Sequence, residues 1–139
     1  MADIFDKETR SALMARIRGR NTRPEVRLRR ILFAMGYRFR LHAMDLPGRP
    51  DVVFTKRKAA IFMHGCFWHS HSCPAGRIPK TRREFWERKL AANRERDARQ
   101  MRLLEEAGWR VLVVWECELR KPEGLPERLA SFLGPVRMV

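Results

Sequence analysis

The sequence predicts an α/β domain, a small sheet flanked by helices, on three observations. Apolar residues recur at helical spacing after Thr22 and again between Thr81 and Ala107; short β-branched and aromatic runs stand at 51–54, 59–63 and 109–115; and turns containing Gly or Pro separate them. The order is helix, helix, three strands, helix, strand, helix, a pattern that buries its apolar faces as helices over a sheet. Lys7 to Arg18 reads as the first helix, followed by a Gly19-Arg20-Asn21 turn. The second starts at Thr22, because Thr22 and Glu25 have capping-box spacing and Pro24 suits a first turn. Leu28, Ile31, Leu32 and Met35 form its core stripe, and Gly36 is its stop. Tyr37 to Leu41 alternates apolar residues with Arg, as a half-buried strand does. After the Leu46-Pro47-Gly48-Arg49-Pro50 turn, Asp51 to Phe54 and Ala59 to Met63 read as a hairpin joined by Lys56-Arg57-Lys58. A long helix runs from Thr81 to Ala107 and stops at Gly108. Trp109 to Trp115 is the most apolar strand and is expected at the centre of the sheet, buried on both faces. Leu125 to Leu133 is the closing helix.

Charge narrows the partner. Among 139 residues, 30 are Lys or Arg and 16 Asp or Glu, a net charge of +14. The bases are 24 Arg and only 6 Lys, and the Arg fork suits phosphates and guanine edges. Arg16 to Arg40 holds nine Arg and one acid, Glu25, while Arg77 to Arg102 interleaves ten bases with Phe85 and Trp86. Solvated helix faces would account for an ordinary charge run; this excess points to nucleic acid. No apolar run approaches the roughly 20 residues needed to span a bilayer, and the N-terminal MADIFDKETR lacks a signal-like apolar stretch. A cytoplasmic protein is expected.

Chemistry concentrates at 64–73, which gathers three of the four His and two of the three Cys. The odd Cys count argues against a disulfide framework. Zinc takes four Cys and His ligands, which Cys66, His71, Cys73 and Cys117 could supply, stapling a long loop to the end of a strand. His69 could replace His71 in that set, and Cys117 could be an inert core cysteine; spacing leaves both open. The remaining His64 and His69 suit the proton transfers of phosphodiester hydrolysis. Asp51, at the head of an apolar strand, offers a hard oxygen for Mg²⁺ or simply terminates the turn. Asp97 shares a helical stripe with Trp86, Leu90, Asn93, Met101 and Leu104. A carboxylate on that face needs a partner, either His69 or an Arg. Glu25 is the capping-box residue, with a second role near phosphate open to it.

The residues Pro50-Asp51, Ile61-Phe62-Met63, His64-Gly65-Cys66-Phe67-Trp68-His69, Arg82-Arg83-Glu84-Phe85-Trp86, Asn93-Arg94-Glu95-Arg96-Asp97 and 108–117 together closely resemble the very-short-patch repair (Vsr) endonucleases, over about Asp6 to Leu133. The resemblance implies a restriction-endonuclease-like fold, a mixed central sheet between helices with a structural zinc site. It also implies one endonuclease domain over 1–139, with N-terminal helices at about 7–35 and a catalytic core at about 37–133. The implied activity is nicking of one DNA strand 5′ to the T of a T:G mismatch left by 5-methylcytosine deamination. Carried onto this chain, Asp51 and the Met63 backbone would bind Mg²⁺, and His69 with Asp97 would be the acid–base dyad. His64 and Glu25 would support them, and Cys66, His71, Cys73 and Cys117 would hold Zn²⁺. Phe67, Trp68 and Trp86 match the family's aromatic wedge, which unstacks the mismatch. Lys89 and Asn93, on the same helix as Trp86, are candidates to read base edges. Met63 departs from the Thr common in the family, a change that a backbone-carbonyl role tolerates. Double-stranded DNA is the expected partner of a monomer, with mismatch-repair proteins as further candidates. The rival readings are a nickase of the same fold with another target and a zinc-stapled DNA-binding module without catalysis.

Overall fold

The computed structural model describes residues 22–41 and 43–136; the helix predicted over Lys7 to Arg18 lies outside them. Helix α1 (Arg23–Ala34) begins where the Glu25 N–H donates to Thr22 Oγ1 at 3.4 Å. Glu25 does not fold its carboxylate back to complete a capping box. It is buried and turned to Arg29, whose Nη2 lies 3.2 Å from Glu25 Oε2. Gly36 then turns the chain at φ +102°, a conformation that favours glycine.

Four strands follow in the order β1 (Arg40–Leu41), β2 (Val52–Phe54), β3 (Ala59–His64) and β4 (Arg110–Trp115). The first three pair antiparallel and β3 pairs parallel with β4, so the sheet is mixed. The parallel pair requires a long crossover, supplied by helix α2 (Arg83–Glu106). Only Arg40 and Leu41 of the 37–41 segment join the ladder. Its inward alternation holds at Tyr37 and Phe39, edge-on to Phe54 at 6.2 and 6.1 Å, and fails at Leu41, which is exposed at the sheet edge.

The expectation of a central 109–115 strand is overturned. β2 and β3 are the buried inner strands, and β4 stands at the end of the described sheet. β4 is apolar because both its faces are covered: Val114 packs in one core layer, Val111 and Val113 in the other. Its outer edge is closed by Arg128, whose Nη2 donates to the Val113 carbonyl at 2.9 Å. The short helix α3 (Glu116–Arg120) and a 3-10 turn at Pro74–Gly76 are too brief for periodicity to reveal, whereas α4 (Leu125–Leu133) lies where the sequence puts it.

Period-two alternation divides the core between the two faces of the sheet. Leu28 and Leu32 of α1 and Leu125, Leu129 and Leu133 of α4 pack with Val52 and Ile61 on one face. Leu104 and Trp109 pack with Val53, Ala60 and Phe62 on the other. Each fully buried Leu or Ile contributes roughly 1.5–3 kcal/mol. Topology then gathers the chemistry: β2 starts after Asp51, antiparallel β3 ends at His64, and parallel β4 sets Trp115 opposite His64. Asp51, His64 and Cys117 therefore share one end of the sheet.

Candidate active site and metal centre

Asp51 sits on the turn at that end. Its backbone N–H donates to the Ile61 carbonyl at 3.1 Å, and its Oδ2 accepts the Met63 N–H at 2.6 Å. The structure thus joins Met63 to Asp51 through its amide. Burial pushes the Asp51 carboxyl up to about 7; the Met63 N–H opposes that rise, and the adjacent Glu25 carboxyl adds to it. Two carboxyls in contact, one of them buried, favour a proton or a cation between them beyond the Arg29 guanidinium already paired with Glu25. That is the donor chemistry a hard divalent ion takes.

His69 and Asp97 meet across the same cleft, which both line together with Glu25 and Asp51. Asp97 Oδ2 is hydrogen-bonded to His69 Nδ1. With Nδ1–H donating to the carboxylate, the neutral ring keeps its lone pair on Nε2. His64 stacks on His69 with centroids 3.8 Å apart and planes 6° from parallel. Burial, then the charge of His69, lower the His64 pKa to about 4, so at neutral pH it is an uncharged ring stacked on His69.

Cys66, His71, Cys73 and Cys117 form a second cluster, each offering a donor atom within 4.8 Å of the others. Its members already touch: the Cys117 N–H donates to Cys66 Sγ at 3.4 Å, and Cys117 Sγ lies 3.5 Å from His71 Nδ1. Three thiols and an imidazole at this separation fit a tetrahedral zinc ion. Burial raises the Cys66 thiol to about 12, while a hydrogen bond from His71 leads the lowering of Cys73 to about 7. Zinc would take both as thiolates. His69 is turned away from this set toward Asp97, and His71 is in it. The loop closes only because residue 76 is glycine: a Cβ there would overlap the His71 carbonyl.

The aromatic residues gather beside the cleft. Trp86 lies 5.3 Å from Phe67 and 5.8 Å from Trp68 between ring centroids, with Trp68 and Phe85 exposed to 42% and 39%. Exposed apolar rings grouped in this way are the kind of surface that contact with a partner covers. Phe85, 5.1 Å from Trp86, extends it. Lys89 is exposed on α2. Asn93 is turned to the loop, its Nδ2 donating to the Trp68 carbonyl at 3.1 Å.

Sequence reasoning missed several residues here. Trp115 stacks on His71 at 4.2 Å and meets His64 edge-on at 5.3 Å, bracing the two clusters. Its position before Cys117 was the available signal. Gln100 lines the cleft one helical turn beyond Asp97, a spacing that could have identified it. Arg49 and Arg96 line it too, indistinguishable in sequence from the other arginines.

Comparison with known proteins gives the family and the fold. The profile of a family described as DNA mismatch endonuclease Vsr matches residues 2–75. The chain is 50% identical over 135 residues to the type II nicking enzyme V.XorIIP of Xanthomonas oryzae pv. oryzae, covering 97% of this chain and 99% of that protein. It is 48% identical over 138 residues to the DNA mismatch endonuclease Vsr of Escherichia coli, covering 96% of this chain and 88% of that one. The catalytic domain of the homing endonuclease I-Bth0305I shares the fold, with a TM-score of 0.56 at 21% identity over 81% of this chain and 94% of that domain. The restriction-endonuclease-like architecture expected from the sequence is therefore the one observed. Among the described residues no helix is long and apolar enough to cross a membrane.

Proposed function

The chain belongs to the Vsr family of DNA endonucleases, and on that premise we propose that it nicks one strand 5′ to the T of a T:G mismatch arising from 5-methylcytosine deamination, by Mg²⁺-dependent hydrolysis. The observation that carries this reading is the His69–Asp97 pair facing the Asp51–Glu25 carboxyls in one cleft, beside exposed aromatic rings. In this reading His69 Nε2 takes the proton of the attacking water, and Asp97 holds the ring and stabilises the imidazolium that results. His64, neutral and stacked, keeps His69 in place. Asp51, with the Met63 backbone and Glu25 beside it, would hold Mg²⁺, which supplies charge stabilisation for the phosphoryl oxygens when bound. The zinc set would fix the loop carrying His69. Phe67, Trp68 and Trp86 would enter the stack at the mismatch, where unstacking costs least. A single-strand nick needs one active site, so the working unit is a monomer on DNA in the cytoplasm.

The test is strand-resolved nicking of an end-labelled duplex with one T:G pair, beside T:A and C:G controls, by wild type and Asp51→Ala. Buffers would contain zinc throughout, with and without Mg²⁺. A Mg²⁺-dependent cut on the T strand alone, lost in Asp51→Ala, is the expected result. V.XorIIP is described as a type II nicking enzyme, which favours a second reading, a nickase with another target. Equal cutting of the matched duplexes would select it, and binding without cutting across several flanking sequences would leave only a DNA-binding module.

A further inference from the structure

We propose that Arg49 and Arg96 together hold the phosphodiester that is cut, Arg49 binding it in the ground state and Arg96 acting as a catalytic residue on the charge that develops during attack. The inference rests on the endonuclease reading above and assigns two residues that it leaves without a role. Both line the cleft containing Asp51, His69 and Asp97. They stand on elements packed against each other: a Cβ on Gly48, next to Arg49, would meet Gln100 Cβ at 3.1 Å, and Arg96 is one helical turn before Gln100.

Among the described arginines these are the two that line this cleft, and their donors are open there. Arg38, Arg57, Arg110 and Arg128 spend theirs on backbone carbonyls, and Arg29 is paired with Glu25. Arg49 is exposed, and its side chain makes no hydrogen bond or ion pair with a described residue. Its backbone is left-handed at φ +48°, a conformation unfavourable for a side chain and unusual before proline. That turn fixes where Arg49 leaves the chain, two residues before Asp51. Strain of this kind persists where surrounding structure enforces it, often at functional sites. Arg96 is half exposed, and its one ion pair among the described residues, Nη2 to Asp97 Oδ1, is a loose 3.8 Å. Most of its five N–H donors are open to a ligand. Asp97 thus has His69 on one oxygen and Arg96 near the other, which puts the guanidinium beside the base that would activate water. Two planar forks bordering one cleft suit the two non-bridging oxygens of a phosphodiester.

The test first maps the nick made by wild type, then measures duplex affinity without Mg²⁺ while each phosphate around the nick is replaced by neutral methylphosphonate. Wild type is expected to lose affinity at the cut phosphate, and Arg49→Ala to show no further loss there. Its slope of log Kd on log salt should flatten by about 0.9. Arg96→Ala should lower the single-turnover rate by roughly 10²- to 10³-fold while the inflections of the pH–rate profile stay in place. Displaced inflections would assign Arg96 to tuning His69 and Asp97 instead, and would overturn its contact with phosphate. Equal methylphosphonate losses in wild type and Arg49→Ala would overturn the role of Arg49. A wild type that nicks no duplex would overturn the endonuclease reading itself, a result distinct from either.

Discussion

Residues 64–73 serve two clusters at one end of the sheet, and the two differ in chemistry although they share a loop. One takes the thiols: Cys66 and Cys73 meet His71 and Cys117, with no carboxylate among the four. The other takes the remaining imidazoles, His64 and His69, and sets them among Asp51, Asp97 and Glu25. Soft donors suit a closed zinc site, whereas hard oxygens suit an ion that must keep positions for water and phosphate. Trp115 touches both, stacked on His71 and edge-on to His64. The difference teaches how one loop can serve both sets: the soft donors would hold it closed on a metal while the hard ones stay open to ligands.

The largest effect should come from breaking the closed cluster. Cys117→Ser is expected to lose zinc, lower Tm by on the order of 10 °C and abolish nicking, because zinc binding is folding free energy for such loops; metal content and thermal melts check it. Asp97→Asn should instead leave zinc and Tm near wild type while single-turnover nicking falls about 10²- to 10⁴-fold. Next comes pH. Asp51 has a folded-state pKa of about 7, above its ordinary 3.8, so the folded state holds that proton more tightly than the unfolded chain. Its stabilising contribution is complete below the unfolded value and is lost as pH rises through 7. In zinc-replete, Mg²⁺-free buffer, wild type should therefore lose more stability than Asp51→Asn between about pH 4 and 7, measured by urea melts at each pH. The smallest effect is expected at the loop's outer tie. Asn93→Ala removes the hydrogen bond to the Trp68 carbonyl and should cost about 1 kcal/mol, with T:G nicking changed only severalfold.

The sequence made much of this legible because the signals were local. Thr22, Pro24 and Gly36 bounded α1, and Leu125 to Leu133 carried a helical stripe that became α4 without shift. The density of His and Cys announced the loop, and Asp97 declared itself by standing on an apolar face. What spacing left open was non-local. Whether His69 or His71 joins the thiols depends on how the loop folds back over β4, and the sequence carries no measure of that. Glu25 looked like a cap because its helix position was read without Asp51, which approaches only through the sheet. β4 was placed at the centre because apolar content reports covered faces, and an edge closed by Arg128 has the same content.

The division of labour is tested most directly by zinc stoichiometry from native mass spectrometry of His69→Ala and His71→Ala. The account predicts one bound zinc in His69→Ala, as in wild type, and none retained by His71→Ala. Zinc lost from His69→Ala and kept by His71→Ala would contradict it, for the ring assigned to water would then belong to the metal that holds the loop.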